Sequence, residues 1–212
     1  MEVRIGCVVE GHAEVASVPV LIRRIAAEMD SGLFVHIPQP VRMSRNRVGE
    51  RFGDVERRVK LAAAKAGSNG AVLVLLDSDN DCPKDLAPAL LRRAMGVGTP
   101  LPVGVVLAKQ EFEAWFLASA ESLRGKRGLP VDLEPPLDPE SVRGAKEWLS
   151  ARTSPKRPYK NTRDQPALTE ALDISKARAR SPSFDKCYRE VTRLLTLLRQ
   201  PETPLGPKEP TS

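Results

Sequence analysis

An uninterrupted apolar run at residues 71–76 is the feature that most limits how this chain can fold. The run lies between Gly70 and Asp77 and offers no polar side chain to solvent on either face. Strands of an open antiparallel sheet alternate apolar and polar residues, whereas strands covered by helices on both sides are apolar throughout. The run therefore predicts a central strand of a parallel sheet.

Three other short apolar runs, at residues 3–9, 33–37 and 102–108, predict three more strands. Between the runs, apolar residues recur at helical spacing, for example at Val55 and Val59. Alternating strands and helices favour right-handed crossovers with helices on both faces of the sheet. We therefore expect an α/β fold with a Rossmann-like, mostly parallel sheet of four strands flanked by helices.

The length of 212 residues suits one main domain with a small addition. Three widely spaced cysteines argue against a disulfide framework or a structural zinc site. No run approaches the roughly 20 apolar residues of a membrane span, so we expect a cytoplasmic protein without a membrane partner. We expect an α/β domain at residues 1–121, a Pro- and Gly-rich linker or loop at 122–139, a helical appendage packed on the domain at 140–200, and a disordered tail at 201–212.

The acidic segment Asp77-Ser78-Asp79-Asn80-Asp81 follows the central strand directly. In extended backbone, residues two apart point to the same side, so Asp77 and Asp79 can face one hard cation. Open parallel sheets bind ligands at the carboxyl ends of their strands, where this segment lies. A solvated acidic loop or a set of helix N-caps is the alternative interpretation.

Glu10 and Gly11 end the first strand, and His12 follows them. The glycine lets backbone approach an anionic ligand, and the start of the next helix supplies N–H groups for phosphate. Alternatively, Glu10 begins a turn and caps that helix. If the first strand neighbours the central one, Glu10, Asp77 and Asp79 converge at one edge of the sheet. Such a group predicts a divalent-metal site for phosphoryl chemistry.

A third acidic pair, Glu111 and Glu113, lies at the start of the helix after the fourth strand. Favourable electrostatics at a helix start explain this pair equally well. Because residues two apart on a helix diverge by roughly 200°, only one of them should face the metal unless Glu111 is still extended. Lys109 and Gln110, which precede the pair, are placed to contact phosphate.

Two basic segments are candidates for a nucleic-acid surface. In the first, Lys156, Arg157 and Lys160 surround Tyr159, whose ring can stack on a base. A solvated loop explains either segment as well, and the formal charge of +6 is only a modest bias towards phosphate-bearing partners. The second segment contains Arg42, Arg45, Arg47 and Arg51.

Six short motifs, in this order along the chain, resemble a known family. They are Val9-Glu10-Gly11-His12-Ala13-Glu14, Asp77-Ser78-Asp79-Asn80-Asp81-Cys82, Glu111-Phe112-Glu113-Ala114-Trp115-Phe116, Tyr159-Lys160-Asn161-Thr162, Asp164-Gln165 and Ser181-Pro182-Ser183-Phe184. The first two resemble the Glu and D-x-D motifs of the Toprim domain, found in topoisomerases, bacterial primases and overcoming-lysogenization-defect (OLD) nucleases. The whole set is similar to a Toprim-related family called domain of unknown function 4276.

The resemblance implies a Toprim fold in which Glu10 is a general acid or base or a metal ligand, while Asp77 and Asp79 hold Mg²⁺ or Mn²⁺. The candidate metal ligands are Glu10, Asp77, Asp79, Asp81, Glu111 and Glu113. The candidates for binding phosphate or nucleic acid are Gly11, His12, Lys109, Lys156, Arg157, Tyr159 and Lys160.

From these features we expect Mg²⁺-dependent hydrolysis of phosphodiesters in DNA or RNA, in a bacterial phage-defence effector that works with a separate ATPase. The chain has no room for the gate domains of a topoisomerase and no template-binding module of a primase. One alternative is a non-catalytic regulatory subunit that binds nucleic acid or an ATPase. Another is a phosphatase or phosphotransfer domain with Asp77 as its nucleophile. The sequence is also compatible with a homo-oligomer.

Overall fold

A computed structural model describes residues 2–43 and 54–200. Within these ranges the strands are β1 (Glu2–Val9), β2 (Phe34–His36), β3 (Val41–Arg42), β4 (Gly70–Asp77) and β5 (Val103–Ala108). The α-helices are α1 (Glu14–Met29), α2 (Val55–Ala66), α3 (Pro83–Met95), α4 (Ala114–Ala118), α5 (Ala145–Arg152), α6 (Asn161–Ala171), α7 (Ile174–Arg180) and α8 (Pro182–Arg199). Short 3-10 helices lie at Ala120–Leu123 and Pro139–Ser141.

The strands form one parallel sheet in the order β2-β1-β4-β5, with β3 also paired to β1. The first residues of β1 pair with β2, and its last residues pair with β3. The two short strands therefore share one edge, separated by Pro38 and Pro40, which have no N–H to donate to a neighbouring strand. We predicted four strands, and all four are present. The fifth, β3, is the two-residue continuation after the prolines.

The central strand β4 is buried along its whole length, as its apolar sequence predicts. Its side chains alternate between two apolar layers. Leu73 and Leu75 belong to the layer formed with α1, α4 and α8. Val72 and Val74 belong to the layer formed with α2 and α3. The predicted α/β fold, with a parallel sheet flanked by helices on both faces, is thereby confirmed.

The helices after residue 140 help to cover one face of this sheet. Helix α8 packs along β5 and also contacts β4 and β1, while α6 packs against α1. Phe184 and Val191 of α8 are fully buried in the same apolar layer as Leu73. The predicted division of the chain near residue 121 stays a prediction, and the predicted tail lies outside the described residues. None of the described helices is long and apolar enough to cross a membrane.

Candidate active site

Two loops at the carboxyl edge of the sheet, after β4 and after β5, are joined by hydrogen bonds. Ser78 N donates to Ala108 O at 2.9 Å, and Asp79 N donates to Gln110 O at 2.9 Å. Gln110 N donates in turn to Ser78 Oγ at 3.0 Å. Asp79 and Gln110 both have positive φ angles, 46° and 61°, which are uncommon for residues other than glycine. These bonds fix the loop that carries Asp79 against the loop that follows β5.

Asp77, the last residue of β4, lies where these loops meet the end of β1. Its Oδ1 accepts a hydrogen bond from Phe112 N at 2.9 Å, and its own N donates to Glu10 Oε2 at 3.3 Å. Burial, followed by the negative charge of Glu113, raises the pKa of Asp77 well above its ordinary value, while Lys146 opposes the shift. Glu10 and Asp77 meet here because β1 and β4 are neighbours in the sheet.

Glu113 is fully buried and contacts polar groups from distant parts of the chain. Its Oε1 accepts hydrogen bonds from Tyr159 Oη at 3.0 Å and Gln165 Nε2 at 3.1 Å. The same Gln165 nitrogen donates to Glu14 Oε1 at 3.2 Å, so one amide group links two buried carboxylates. Burial raises the pKa of Glu113 to about 7, although Lys146 acts in the opposite direction.

Lys146, near the start of α5, is the cation closest to these acids. Its Nζ lies 3.2 Å from Glu111 Oε2 and 3.5 Å from Glu113 Oε2. Glu111 Oε1 also accepts a hydrogen bond from Ala145 N at 2.5 Å, which ties the start of α5 to the loop after β5. Burial would lower the pKa of Lys146, but the charges of Glu113, Asp77 and Glu111 outweigh it and raise that pKa.

The acids gathered at this edge are Glu10, Glu14, Asp77, Glu111 and Glu113, and we name them the acidic cluster. A cleft of about 360 Å³ opens beside it. Among the residues that line the cleft are the acids Asp77, Asp79 and Glu111 and the cations Arg143 and Lys146. Glu113 is fully buried and does not line the cleft, so of the predicted third pair only Glu111 lines it.

The predicted metal ligands meet at one edge without forming a complete ligand set. Within residues 2–43 and 54–200, no group of three or more His, Cys, Asp or Glu side chains converges in a way that could hold a metal ion. Asp81, also a candidate ligand, is half-buried, and its N donates to Ser78 O at 3.0 Å, which closes the turn after β4.

A family model described as domain of unknown function (DUF4276) matches residues 9–191. The chain belongs to this family. The matched region extends from the end of β1 into α8, so it contains the whole acidic cluster and the residues that line the cleft. No curated protein and no solved structure gives a significant match.

In this DUF4276 chain, the residues after β1 surround a carboxylate of the cluster. A Cβ atom at Gly11 would lie 2.4 Å from Glu14 Oε2, so glycine leaves room for that buried side chain. His12 is exposed, and its ring nitrogen contacts the guanidinium of Arg42. Of the second basic segment, Arg45, Arg47 and Arg51 lie outside the described residues.

Lys109 lies where the loop after β5 meets the start of α8. Its N donates to Ser183 Oγ at 3.1 Å, and Trp115 Nε1 donates to the same oxygen at 2.8 Å. Ser181 caps α8 by accepting a hydrogen bond from Phe184 N at 3.1 Å. The Ser181-Pro182-Ser183-Phe184 motif therefore joins the last helix to the edge of the sheet that carries the site.

The first basic segment folds around a buried acid, Asp164. Arg163 Nη2 lies 2.5 Å from Asp164 Oδ2, while Arg127 Nε and Arg157 Nη2 lie 3.0 and 3.4 Å from Oδ1. Lys160 N also donates to Oδ2 at 3.0 Å. Burial opposes ionisation, but the hydrogen bonds from Arg163, Lys160 and Arg127 outweigh it and lower the pKa of Asp164 to about 2. We name Asp164 and its three arginines the arginine cluster.

This arrangement changes the interpretation of the basic segment. Tyr159 is buried with its hydroxyl group on Glu113, so its ring is not accessible to a nucleic-acid base. Arg157 pairs with Asp164. Lys156 and Lys160 keep exposed side chains. Of the four residues predicted to contact nucleic acid here, the two lysines are therefore the ones whose side chains lie in solvent.

Proposed function

We propose that this DUF4276 protein hydrolyses phosphodiester bonds of nucleic acid with the help of Mg²⁺ or Mn²⁺, at the cleft beside the acidic cluster. One observation carries the proposal: Asp77, Glu111 and Glu113 lie around Lys146, the one lysine seen beside them in the described part of the chain, and Glu10 accepts a hydrogen bond from Asp77 N. Buried acids in excess of cations are unfavourable for stability, and such arrangements concentrate at functional sites. The Toprim resemblance of the Glu10 and Asp77-x-Asp79 motifs points to the same chemistry.

The side chains present suit a hard divalent cation in ligand type, because they offer only oxygen atoms, although no three of the described ones already converge around one position. Asp77, Asp79 and Glu111 line the cleft, and Glu10 contacts the backbone of Asp77. These side chains would have to draw closer together to hold the ion, with water and phosphate oxygens completing its coordination. When bound, the ion would stabilise charge on the phosphodiester and activate a water molecule.

The remaining contacts prepare the acids for this role. The hydrogen bond from Phe112 N fixes one oxygen of Asp77, and the hydrogen bonds between the two loops fix the backbone of Asp79. Glu10 is half-buried beside Asp77, and we assign it to proton transfer. Lys146 reduces the repulsion between Glu111 and Glu113.

The test is cleavage of single- and double-stranded DNA and RNA by the purified wild type, Glu10→Ala and Asp77→Ala, with Mg²⁺, Mn²⁺ or EDTA. We expect metal-dependent cleavage by the wild type and none by Asp77→Ala. The matched control is Asp132→Ala, because Asp132 is an exposed acid outside the site. Cleavage that survives Asp77→Ala would refute the proposed site. Absence of cleavage by the wild type despite metal binding would favour a regulatory subunit, and a phosphate covalently trapped on Asp77 would favour a phosphatase.

A further inference from the structure

The two cations that line the cleft have different surroundings. Lys146 contacts two carboxylates, which balance its charge. Arg143 is exposed, and among the residues that the structure describes it has no hydrogen-bond, ion-pair or ring partner. A flexible arginine beside Asp77 and Glu111 would ordinarily pair with one of them. Its guanidinium group is instead left available for a ligand.

The backbone on both sides of Arg143 is fixed. Val142 packs against the main apolar layer. Gly144 has a φ of +71°, and a Cβ atom there would lie 2.7 Å from Glu147 Oε2, so the turn requires glycine. Ala145 N is bound to Glu111. The base of the arginine side chain therefore has a defined position at the cleft although its end is free.

We infer that Arg143 is the residue that binds a phosphate group of the nucleic acid in this cleft. The inference rests on the proposed function and adds how the substrate is held. An incoming phosphate is repelled by Asp77 and Glu111, and the charge of Lys146 is already balanced by Glu111 and Glu113. Among the described residues that line the cleft, Arg143 is the cation left to offset this repulsion, and a guanidinium group can donate two parallel hydrogen bonds to phosphate.

The size of the cleft limits what Arg143 can recognise. A volume of about 360 Å³ is at the lower end of the range for small-ligand sites, so the cleft is too small to enclose a duplex. Contacts to phosphate carry no information about the base. Binding through Arg143 is therefore independent of sequence and depends on salt concentration.

The experiment measures binding of fluorescein-labelled single-stranded DNA and RNA oligonucleotides by anisotropy, with Mg²⁺, in a Glu10→Gln background that suppresses cleavage. Arg143→Ala is expected to raise Kd about ten-fold or more for every base sequence. It should also reduce the slope of log Kd against log salt by about one. Arg143→Lys should recover part of the affinity. In cleavage assays without the Glu10 substitution, Arg143→Ala should raise KM more than it lowers kcat.

The control is Arg92→Ala, because Arg92 is also exposed and lies near the end of α3, at the opposite edge of the sheet. It should leave both Kd and the salt slope unchanged. If the parent protein binds and Arg143→Ala binds equally well, the inference fails and the proposed function stands. If the wild type neither binds nor cleaves any of the oligonucleotides, the proposed function fails, and the role of Arg143 fails with it.

Discussion

The acidic cluster and the arginine cluster each contain a fully buried carboxylate, and the two ionise very differently. Glu113 has a single lysine for a cation, and its pKa is raised to about 7. Asp164 contacts three arginines, and its pKa is lowered to about 2. Burial acts in the same direction in both, so the number of cations and donors decides the result. One acid is stabilised as a structural anion, and the other is held in the under-compensated state that functional sites favour.

Removal of the acid from the arginine cluster is expected to have the largest effect. Asp164→Ala leaves Lys160 N without its acceptor and removes the carboxylate with which Arg127, Arg157 and Arg163 pair, which should lower the free energy of unfolding by about 3 kcal/mol. Urea denaturation at pH 7 measures this loss. Asp185→Ala is the control, because Asp185 pairs with Arg178 and Arg189 at the surface and should lose at most about 1 kcal/mol. Equal losses would contradict the comparison.

The second prediction concerns the pH dependence of stability, to which Glu113 and Asp164 contribute with opposite signs. Glu113 binds its proton more tightly in the folded protein, so its contribution lowers stability as pH rises from its ordinary pKa to about 7. The shift corresponds to about 3 kcal/mol. Asp164 binds its proton less tightly when folded, so the stability it contributes is lost as pH falls from about 4 towards 2.

The measurement for this second prediction is the free energy of unfolding at several pH values from about 2 to 8, so that it covers both acids. Glu113→Gln should remove the Glu113 part of the pH dependence and become more stable than the wild type above pH 7. The raised pKa of Asp77 acts in the same direction as that of Glu113, so the difference between variant and wild type is the informative quantity. Parallel pH profiles would show that Glu113 ionises normally in the folded protein.

Replacement of Lys146 should increase the difference in charge balance between the acidic cluster and the arginine cluster. Lys146→Met leaves Glu111 and Glu113 without a counter-charge, and we expect a loss of about 2 kcal/mol at pH 8. The loss should be smaller at pH 5, where Glu113 is protonated. Lys186→Met is the control, because its ion pair with Glu190 has an exposed lysine and should change little at either pH. A loss for Lys146→Met that does not vary with pH would contradict the prediction.

The smallest expected effect is that of a single hydrogen bond. Tyr159→Phe removes the donor to Glu113 and should lower the free energy of unfolding by about 1 kcal/mol at pH 8. Because a donor favours the charged form of a carboxylate, the pKa of Glu113 should also rise above 7. Tyr188→Phe, whose ring stacks with Arg178, is the control. The pH profile of unfolding reports both quantities, and an unchanged profile would refute the role of the hydroxyl group.

The parts of the fold that the sequence predicts are those with a local pattern. The apolar run of β4 predicts its burial because both faces must be covered. Strand β3 is not predictable because two residues carry no periodicity. Helices α6 and α7 lie within the region predicted as a helical appendage, but no separate pattern marks them, because they are short and lack a continuous apolar stripe, and α6 contains Pro166.

The candidate site shows the same limit. Glu10 and Asp77 are predictable because each ends a strand, and neighbouring strands of a parallel sheet end at one edge. The sequence does not predict the polar partners of the acidic cluster. Lys146 belongs to no motif, and Glu14 meets Gln165 across 151 positions of the chain. Long-range side-chain contacts depend on how helices pack, which no local pattern specifies.

The link between Glu14 and Gln165 also sets an order of events during synthesis. Glu14 leaves the ribosome 151 residues before its amide partner Gln165. Contacts so distant in sequence form late and slowly. Until Tyr159 and Gln165 arrive, the carboxylate of Glu113 lacks both of its hydrogen-bond donors. The protein therefore completes its candidate active site only after α6, which carries Gln165, has been synthesised.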